Sequence, residues 1–275
     1  MVPTPLGNLQ DLSERQCAVL REVDWIAAED TRHSAPLLRH LGIFNAKCFA
    51  AHEHNEQVVA GRILTLLEQG KSGALISDAG TPGVSDPGAR IVARVRAAGG
   101  EIIPLPGPCA AVTALSASGL ADAHWLFYGF LPAKAGQRRT ALAALSSLPY
   151  ALLFYEAPHR ITECVTDMAA ILGAERTLVI ARELTKRFEQ IHALPLGEAC
   201  IWLTADAQRQ KGEFVLIVPG ASPEAEPIAA ERTLRLLLDE GLPVKQAARL
   251  AATLTGAPRN ALYRQALAWL KNPPT

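Results

Sequence analysis

Short apolar runs alternate with amphipathic segments along the first 120 residues of the chain. The apolar runs have the length of buried strands, and the segments between them repeat apolar positions with a helical period. The predicted strands cover residues 25–28, 73–77 and 101–104, and the predicted helices cover residues 11–23, 56–68, 89–98 and 109–118. Strands separated by helices indicate a parallel sheet built from βα units.

The same alternation continues after residue 120 and predicts a second α/β unit. Its predicted strands cover residues 125–128, 150–155, 177–181 and 214–218, and its predicted helices cover residues 138–145 and 160–172. Residues 119–123 carry Gly, Ala and Asp, a composition that suits a linker. We therefore expect an N-terminal α/β domain over residues 1–120, which binds the ligand, and a second α/β domain over residues 121–220.

A proline-rich joint, P-G-A-S-P-E-A-E-P over residues 219–227, precedes a helical C-terminal region. Helical periodicity covers residues 228–239, 244–255 and 259–270, and the segment T-G-A-P over residues 255–258 predicts a short turn. Two helices joined by a Gly-containing turn fit a helix-turn-helix-like shape. We expect a small helical domain over residues 221–275, and the pattern alone leaves open whether it is a solvated cap or a docking appendage.

The most informative stretch is a loop, S-D-A-G-T-P-G-V-S-D-P-G over residues 77–88, directly behind a predicted strand. Its glycines allow close approach of the backbone to a ligand, and its prolines hold the loop shape. Similar loops occupy residues 3–8 and 104–108. Because open α/β sheets bind ligands at the carboxyl ends of their strands, we expect the three loops to converge on one crevice. None matches a dinucleotide or P-loop phosphate motif, so neither of those ligands is expected.

Charge and cysteine usage limit the partners and the location of the chain. Lys plus Arg and Asp plus Glu both number 27, so any contact with nucleic acid must come from a local basic face. The five cysteines are scattered without a C-x-x-C pair, which indicates a reducing compartment. With no leader and no membrane-length apolar run, we expect a cytoplasmic protein. The H-E-H at residues 52–54 lacks the spacing of a helical metal motif, and we expect no metal.

Seven motifs follow one another along residues 2–218: V-P-T-P-L-G-N-L, A-E-D-T-R-H, S-D-A-G-T-P, P-L-P-G-P-C-A-A-V-T-A-L, F-Y-E-A-P-H-R, A-R-E-L-T-K and K-G-E-F-V-L-I-V. In this order they resemble the bacterial small-subunit ribosomal RNA cytidine 2′-O-methyltransferases, a family of the tetrapyrrole-methylase-like superfamily. The resemblance implies two α/β domains of the tetrapyrrole methylase type with S-adenosylmethionine in the cleft between them, plus a small C-terminal helical domain. It also implies a homodimer and methyl transfer to a cytidine ribose of small-subunit (16S) ribosomal RNA. Because the net charge is zero and attraction to bare RNA is therefore weak, we expect the acceptor to be RNA within the assembled subunit.

The resemblance further implies a set of cofactor contacts in the loops that follow the strands. Thr81 stands where the superfamily often has an acid, so Asp78 is the candidate replacement. Glu156 is assigned either to a ribose hydroxyl or to the acceptor. The expected cofactor contacts are Pro5, Asp78, Ala79, Gly80, Thr81, Val84, Cys109, Ala110, Glu156, Leu184 and Thr185.

Charged groups at strand ends supply the candidates for the acceptor site. For the first of these clusters the alternative is a helix N-terminus, with Asp30 or Thr31 as the cap. No general base is singled out among them. The acceptor-site candidates are Asn8, Glu29, Asp30, Arg32, His159 and Lys186. The candidate RNA contacts are Arg182, Arg187, Arg259 and Arg264.

Two other functions stay open at this point. One is a methylase of tetrapyrrole intermediates with the same fold, and the other is a non-catalytic ribosome-assembly factor. The motifs A-E-D-T-R-H and Y-E-A-P-H-R and the helical tail favour RNA.

The first residues differ from the pattern of the resembling family, which usually has a short apolar strand before V-P-T-P. Here only Met1 and Val2 precede that motif. We expect a chain extended by about ten upstream residues, the length of a long strand, to be more stable. Thermal unfolding measures this, and an unchanged melting temperature would count against it.

Overall fold

The computed structural model describes residues 1–44, 47–221 and 225–271, and its first unit is a parallel sheet with helices. The strands are β1 (Trp25–Ala28), β2 (Lys47–Ala50) and β3 (Gly73–Ile76), in the order β2-β1-β3. After a short 3₁₀ helix, Leu9–Asp11, the helices are α1 (Glu14–Glu22), α2 (Thr31–His40), α3 (Glu56–Glu68), α4 (Ala89–Ala97) and α5 (Ala110–Ser116). β1 is buried along its whole length, as expected for the central strand of a parallel sheet.

Residues 101–104 do not form the predicted strand. Within the described part of the chain this segment pairs with Met1 alone: the Met1 amino group donates to Ile103 O at 2.9 Å, and the Leu105 N–H donates to Met1 O at 3.0 Å. A strand requires a longer ladder, so the prediction is wrong here. The prediction also missed β2, which is only four residues long and half exposed and therefore lacks an apolar run. Helix α1 starts later than expected because Ser13 and Gln16 form a capping box.

The second unit is a mixed five-stranded sheet in the order β4-β5-β8-β6-β7. Its strands are β4 (Trp125–Phe130), β5 (Ala151–Glu156), β6 (Thr177–Arg182), β7 (Gln190–Pro195) and β8 (Phe214–Val218). β4 and β5 are parallel, and the other pairs are antiparallel. The helices are α6 (Ala135–Leu145), α7 (Ile161–Leu172) and α8 (Leu196–Thr204). The sequence did not predict β7 and α8, and for β7 the reason is that an edge strand with mostly exposed positions carries little hydrophobic pattern.

An apolar core and one buried cluster of charges hold the second unit together. Leu152 and Phe154 of β5 are fully buried within the core. Arg138 of α6 is also buried and pairs at 2.7 Å with Asp167 of α7, which accepts a further hydrogen bond from Arg139. A buried guanidinium is tolerated only when it is paired, so this cluster fixes α6 against α7.

Helix α5 joins the two units. Its Ala111 and Ala114 are buried against Leu153 of β5 and Val215 of β8. The Ala111 N–H also donates to the Tyr155 hydroxyl at 3.1 Å. Because these alanines are small, the start of α5 lies close to the end of β5, and the loop before α5 is held beside it.

The C-terminal region consists of α9 (Ala225–Asp239), α10 (Val244–Thr255) and α11 (Arg259–Lys271), which share a core of their own. Gly256 ends α10 in the left-handed conformation, with φ of +75°, and allows the turn into α11. The core residues are Ala230, Leu234, Ala247, Ala248, Ala251, Leu262 and Ala266. The predicted boundaries near residues 120 and 220 fall between α5 and β4 and between β8 and α9; the division into three domains stays a prediction. In the described ranges, no helix has both the length and the apolar character needed to cross a membrane.

Candidate functional site

A cavity of about 370 Å³ opens where strands of both units end. Its walls come from the ends of β1, β3 and β5, the start of β8, and the loops after β6 and before α5. The volume lies in the range of small-molecule sites, and the position is the one at which α/β sheets bind ligands. The lining residues are Leu6, Glu29, Asp78, Ala79, Gly80, Thr81, Val84, Asp86, Cys109, Ala110, Phe130, Tyr155, Glu156, Ala157, Pro158, Leu184, Glu213, Phe214 and Val215.

The loop of residues 77–88 forms one wall through a network of backbone hydrogen bonds. Thr4 and Gly80 exchange two of them, at 2.8 and 2.9 Å, which attach the N-terminal segment to the loop. The Thr81 hydroxyl donates to Pro108 O at 2.8 Å, which attaches the third loop. Gly80 has φ of +86°, a conformation that disfavours any side chain. The predicted convergence of three loops is therefore confirmed.

The buried carboxylate of Glu156 forms part of the opposite wall. Its side chain has no exposed surface and pairs with Arg160 at 3.2 Å. One oxygen accepts from the Ala157 N–H at 2.8 Å, and the other accepts from the Arg160 guanidinium at 3.3 Å. Both oxygens are thus engaged by the protein, which leaves little acceptor capacity for a ligand. The sequence alternatives for Glu156, a ribose hydroxyl or the acceptor, both stay predictions.

Two aromatic rings give the cavity an apolar side. Phe130 and Tyr155 lie with ring centroids 5.7 Å apart, in a nearly perpendicular arrangement. Burial raises the pKa of Tyr155, and the nearby Cys109 adds to the shift, so the phenol stays protonated. An aromatic surface beside polar backbone suits a ligand that combines a flat ring with polar groups.

Three carboxylates of the first unit, from Glu29, Asp78 and Asp86, line the cavity in addition to Glu156 and Glu213 of the second unit. Glu29 accepts from the Asp78 N–H at 3.2 Å, and Asp78 accepts from the Asp30 N–H at 3.1 Å, so both fasten the end of β1 to the end of β3. Burial raises the pKa of Glu29 despite its hydrogen bond from Asp78. Burial also raises the pKa of Asp86 to about 7, and repulsion from Glu29 adds to it. The cluster favours a cationic group in the ligand.

Most of the residues expected to contact a cofactor are brought together here. Pro5 and Thr185 are the expected contacts that do not line the cavity. Thr185 follows Leu184 with φ of +64°, and its buried hydroxyl has no hydrogen-bond partner among the described residues. A buried unpaired hydroxyl next to a cavity is compatible with a bound ligand. The expected contacts that do line the cavity are Asp78, Ala79, Gly80, Thr81, Val84, Cys109, Ala110, Glu156 and Leu184.

The acceptor-site candidates are more dispersed, and among them Glu29 is the one that lines the cavity. Asp30 caps α2, which is the alternative interpretation of its motif. Hydrogen bonds from the Arg32 side chain hold the pKa of Asp30 well below its usual range, and Arg32 itself is 90% exposed. Asn8 caps the short 3₁₀ helix, and His159 is exposed in the turn before α7.

Lys186 lies at the contact between the N-terminal loop and the second unit. Its amine donates to Glu183 at 2.9 Å and to Glu213 at 2.8 Å. Burial lowers the pKa of Lys186, but these two carboxylates outweigh that effect and raise it. The amine is therefore charged at neutral pH and cannot accept a proton. A Cβ on Gly7 would lie 2.2 Å from Lys186 Cγ, so the lysine stem packs directly on the N-terminal loop.

Arg182 does not have the position expected of an RNA contact. It is buried, and its guanidinium donates to the backbone oxygens of Gln208 and Lys211 at 2.6 and 3.0 Å. A guanidinium engaged inside the protein cannot also reach a phosphate at the surface, so we remove Arg182 from the RNA candidates. Arg187, a few residues further on, is exposed.

Sequence reasoning missed several residues of the cavity, although most of them lie inside motifs that it quoted. Asp86 belongs to the loop of residues 77–88, Tyr155 to F-Y-E-A-P-H-R and Phe214 to K-G-E-F-V-L-I-V. The motifs indicated the right segments of the chain. Which of their residues face the cavity depends on side-chain direction, which alternates along a strand. The missed residues are Leu6, Asp86, Phe130, Tyr155, Ala157, Pro158, Glu213, Phe214 and Val215.

The cavity between the two α/β units, with the Gly80 loop as one wall, is the geometry against which the comparisons with known proteins are set. Residues 1–200 match the family Tetrapyrrole (Corrin/Porphyrin) Methylases, and the chain belongs to this family. Residues 224–270 match the RsmI C-terminal HTH domain. The predicted fold class and the resemblance drawn from the motifs are therefore confirmed. Membership in a methylase family implies a methyl donor of the S-adenosylmethionine type.

Relatives of the chain match it over nearly its whole length. It is 52% identical to the ribosomal RNA small subunit methyltransferase I of Escherichia coli O157:H7, over 97% of this chain and 93% of the relative. It is 51% identical to the protein of the same name from Pseudomonas aeruginosa, over 97% of this chain and 95% of that relative. The similarity thus includes the helical C-terminal region as well as the α/β units.

Solved structures with low sequence identity support the fold alone. Diphthine synthase superimposes with a TM-score of 0.62 at 14% identity, covering 80% of this chain and 88% of that one. The methyltransferase CobJ superimposes with a TM-score of 0.59 at 19% identity, covering 79% of this chain and 91% of that one. These likenesses support the fold alone, and because one fold can host different functions, the acceptor has to be argued from other observations.

Proposed function

We propose that this protein is an S-adenosylmethionine-dependent methyltransferase of the cytoplasm that methylates a cytidine ribose 2′-hydroxyl in small-subunit ribosomal RNA. The main support is sequence identity. About half of all positions, over nearly the full length, are identical in relatives named ribosomal RNA small subunit methyltransferase I. The choice of the 2′-hydroxyl and of cytidine rests on the seven motifs. Donor and acceptor meet in the cavity between the two α/β units.

The residues of the cavity fit such a donor. S-adenosylmethionine supplies an electrophilic methyl group on a sulfonium centre, which is already a good leaving group. The carboxylates of Glu29, Asp78 and Asp86 complement its positive charge, and the open backbone at Gly80 allows close approach. The rings of Phe130 and Tyr155 offer an apolar surface for its base. The protein's main task is then orientation, which supplies about 7–11 kcal/mol of the barrier in well-aligned reactions.

The acceptor is proposed to be ribosomal RNA within an assembled particle. A chain with no net charge has little long-range attraction for bare RNA, so recognition depends on local basic side chains and on shape. Arg187, Arg259 and Arg264 are exposed and available for phosphate contacts. Arg259 and Arg264 lie on α11, inside the region that matches the helix-turn-helix domain.

An acceptor panel tests the proposal. The protein would be incubated with S-adenosylmethionine carrying a labelled methyl group and with assembled small subunits, naked small-subunit RNA or a tetrapyrrole intermediate. We expect label in the assembled subunits, and nucleoside analysis should locate it on the 2′-oxygen of a cytidine. Label in the tetrapyrrole alone would favour the other methylases of this family. Cofactor binding without transfer to any acceptor would favour a non-catalytic assembly factor.

We also propose that the active form is a homodimer. The edge strand β4 exposes three aromatic side chains: Trp125 at 45%, Tyr128 at 39% and Phe130 at 51%, the last of which also lines the cavity. Exposed aromatic residues on an edge strand favour association. Light scattering should give about twice the 29.4 kDa of one chain. Changing Trp125→Glu together with Tyr128→Glu should lower the mass to one chain, whereas Ile201→Glu on α8 should not. A wild-type mass of one chain at micromolar concentration would refute the dimer.

A further inference from the structure

Phe188, in the loop between β6 and β7, is 65% exposed. The loop begins at the carboxyl end of β6, and its Leu184 lines the cavity. Arg182 at the end of β6 pairs with Gln190 at the start of β7 and with Phe214 of β8, which also lines the cavity. Phe188 therefore lies at the same edge of the sheet as the cavity, without lining the cavity itself. A single exposed apolar residue is common at protein surfaces, so its exposure alone points to no ligand.

Hydrogen bonds inside the protein fix the backbone that carries this ring. The buried Arg182 guanidinium donates to Phe188 O at 3.4 Å. The Thr185 N–H donates to the Glu189 carboxylate at 2.6 Å. Glu183 and Thr185 have φ of +52° and +64°, conformations that are rare for residues with side chains and that are concentrated at functional sites. A ring on a fixed backbone loses little conformational entropy when a ligand stacks on it.

The charges beside Phe188 differ in whether they are already paired. The Lys186 amine is held by the carboxylates of Glu183 and Glu213. Arg187 is exposed and forms no ion pair with the residues that the structure describes, and its guanidinium carbon lies 5.6 Å from the centroid of the Phe188 ring. An available cation thus stands next to an exposed aromatic ring. Residues 183–189 carry two carboxylates and two cations, so charge alone gives this loop little attraction for RNA.

We propose that Phe188 is a stacking platform for an unpaired base of the acceptor RNA, beside the nucleotide whose ribose enters the cavity, and that Arg187 contacts a phosphate of the same strand. This inference rests on the RNA acceptor proposed above. Unpaired RNA bases stack on aromatic rings, and arginine holds the phosphates between them.

Stacking suits this chain for two reasons. It does not depend on net charge, which is zero here. A strand also loses stacking when one of its nucleotides moves out into an active site, and a base placed on Phe188 would replace part of what is lost. The cation beside the ring favours RNA over an apolar protein surface as the occupant.

Binding to assembled small subunits, measured at several salt concentrations, tests the platform. Phe188→Ala should lower the affinity by about 5- to 150-fold, the loss expected for one stacked base, and leave the slope of log affinity against log salt unchanged. Phe188→Trp should bind like wild type, because it keeps an aromatic face. Phe188→Leu keeps an apolar side chain without that face and should lose affinity as Phe188→Ala does. Arg187→Ala should instead flatten the slope by about 0.7–0.9, the value for one phosphate.

Phe44 offers a matched control, because it is a 75% exposed phenylalanine of the first unit. It precedes β2 and so lies near the amino ends of the parallel strands, whereas the cavity lies at their carboxyl ends. Phe44→Ala should leave both affinity and slope unchanged. Calorimetry should show wild-type affinity for S-adenosylmethionine in every Phe188 variant, and light scattering should show the wild-type mass.

Wild-type affinity for subunits in Phe188→Ala or in Phe188→Leu would overturn the platform. If Phe188→Ala fails to fold, the comparison of Phe188→Leu with Phe188→Trp decides in the same way. A changed mass in the variants would assign the ring to a contact between protein chains, and a matching loss of cofactor affinity would assign it to support of the loop; either result overturns the platform. A wild type that neither binds nor methylates assembled subunits would refute the proposed function itself, which is a different outcome.

Discussion

Gly80→Val is expected to abolish binding of S-adenosylmethionine while the protein still folds. Gly80 has φ of +86°, and a β-branched residue resists that conformation at a cost of about 1–2 kcal/mol. Its Cβ would lie 3.4 Å from Leu6 Cδ2 and 3.7 Å from Pro108 O, which are ordinary contacts, so the loops need not separate. The bonds between Thr4 and Gly80 involve only the backbone and can persist. Because Gly80 lines the cavity, however, the γ-methyl groups of valine would occupy space that the ligand needs.

Calorimetry with S-adenosylmethionine measures this effect, and we expect the affinity to fall by at least about 100-fold, or about 2.7 kcal/mol. Gly99→Val is the matched control, because Gly99 has φ of +81°, no atom within 4 Å of its Cβ position and no part in the cavity. It should lower the melting temperature by a similar amount and leave the affinity unchanged. Wild-type affinity in Gly80→Val would remove this loop from the cofactor site.

The parts of the fold that the sequence predicted are those with a continuous apolar run. Five such strands are largely buried, and their apolar side chains form the sequence pattern expected of buried strands: β1, β3, β5, β6 and β8. β2 and β7 lie at sheet edges with mostly exposed positions, so their formation depends on pairing with a neighbour rather than on their own pattern. The segment at residues 101–104 shows the converse, since an apolar run without a full partner forms no strand.

For the site, the sequence located the loops but not the function of each side chain. Arg182 and Asp86 illustrate the limit. The charge of Arg182 suggested a phosphate contact. Its guanidinium is buried, however, and donates to the backbone oxygens of Gln208 and Lys211, which are distant from Arg182 in sequence. Asp86 lies in the most informative loop, but the sequence does not show that it lies near Glu29 and Asp78. That proximity, which helps to raise the pKa of Asp86, appears only once the ends of β1 and β3 are placed side by side. Such partners are distant in sequence, so composition and spacing do not contain them.

Changing Arg259→Ala together with Arg264→Ala is expected to weaken acceptor binding without affecting the cofactor. Both arginines are exposed on α11, whose buried side packs through Leu262 and Ala266 on the other C-terminal helices. Their removal should therefore leave the fold intact. If each contacts one phosphate, the affinity for assembled subunits should fall by about tenfold or more, and the slope of log affinity against log salt should flatten by about 1.4–1.8.

The salt titration distinguishes a local contact from a general loss of charge. Arg39→Ala with Arg96→Ala removes the same two charges from exposed positions on α2 and α4, and it should leave the slope unchanged. Affinity for S-adenosylmethionine should match wild type in both double variants, because none of these arginines lines the cavity. If the α11 variant methylates assembled subunits at the wild-type rate across the salt range, the C-terminal helices are a structural cap. An equal loss of affinity in both variants would instead assign the effect to net charge, because removing two positive charges makes a neutral chain negative and so repels RNA.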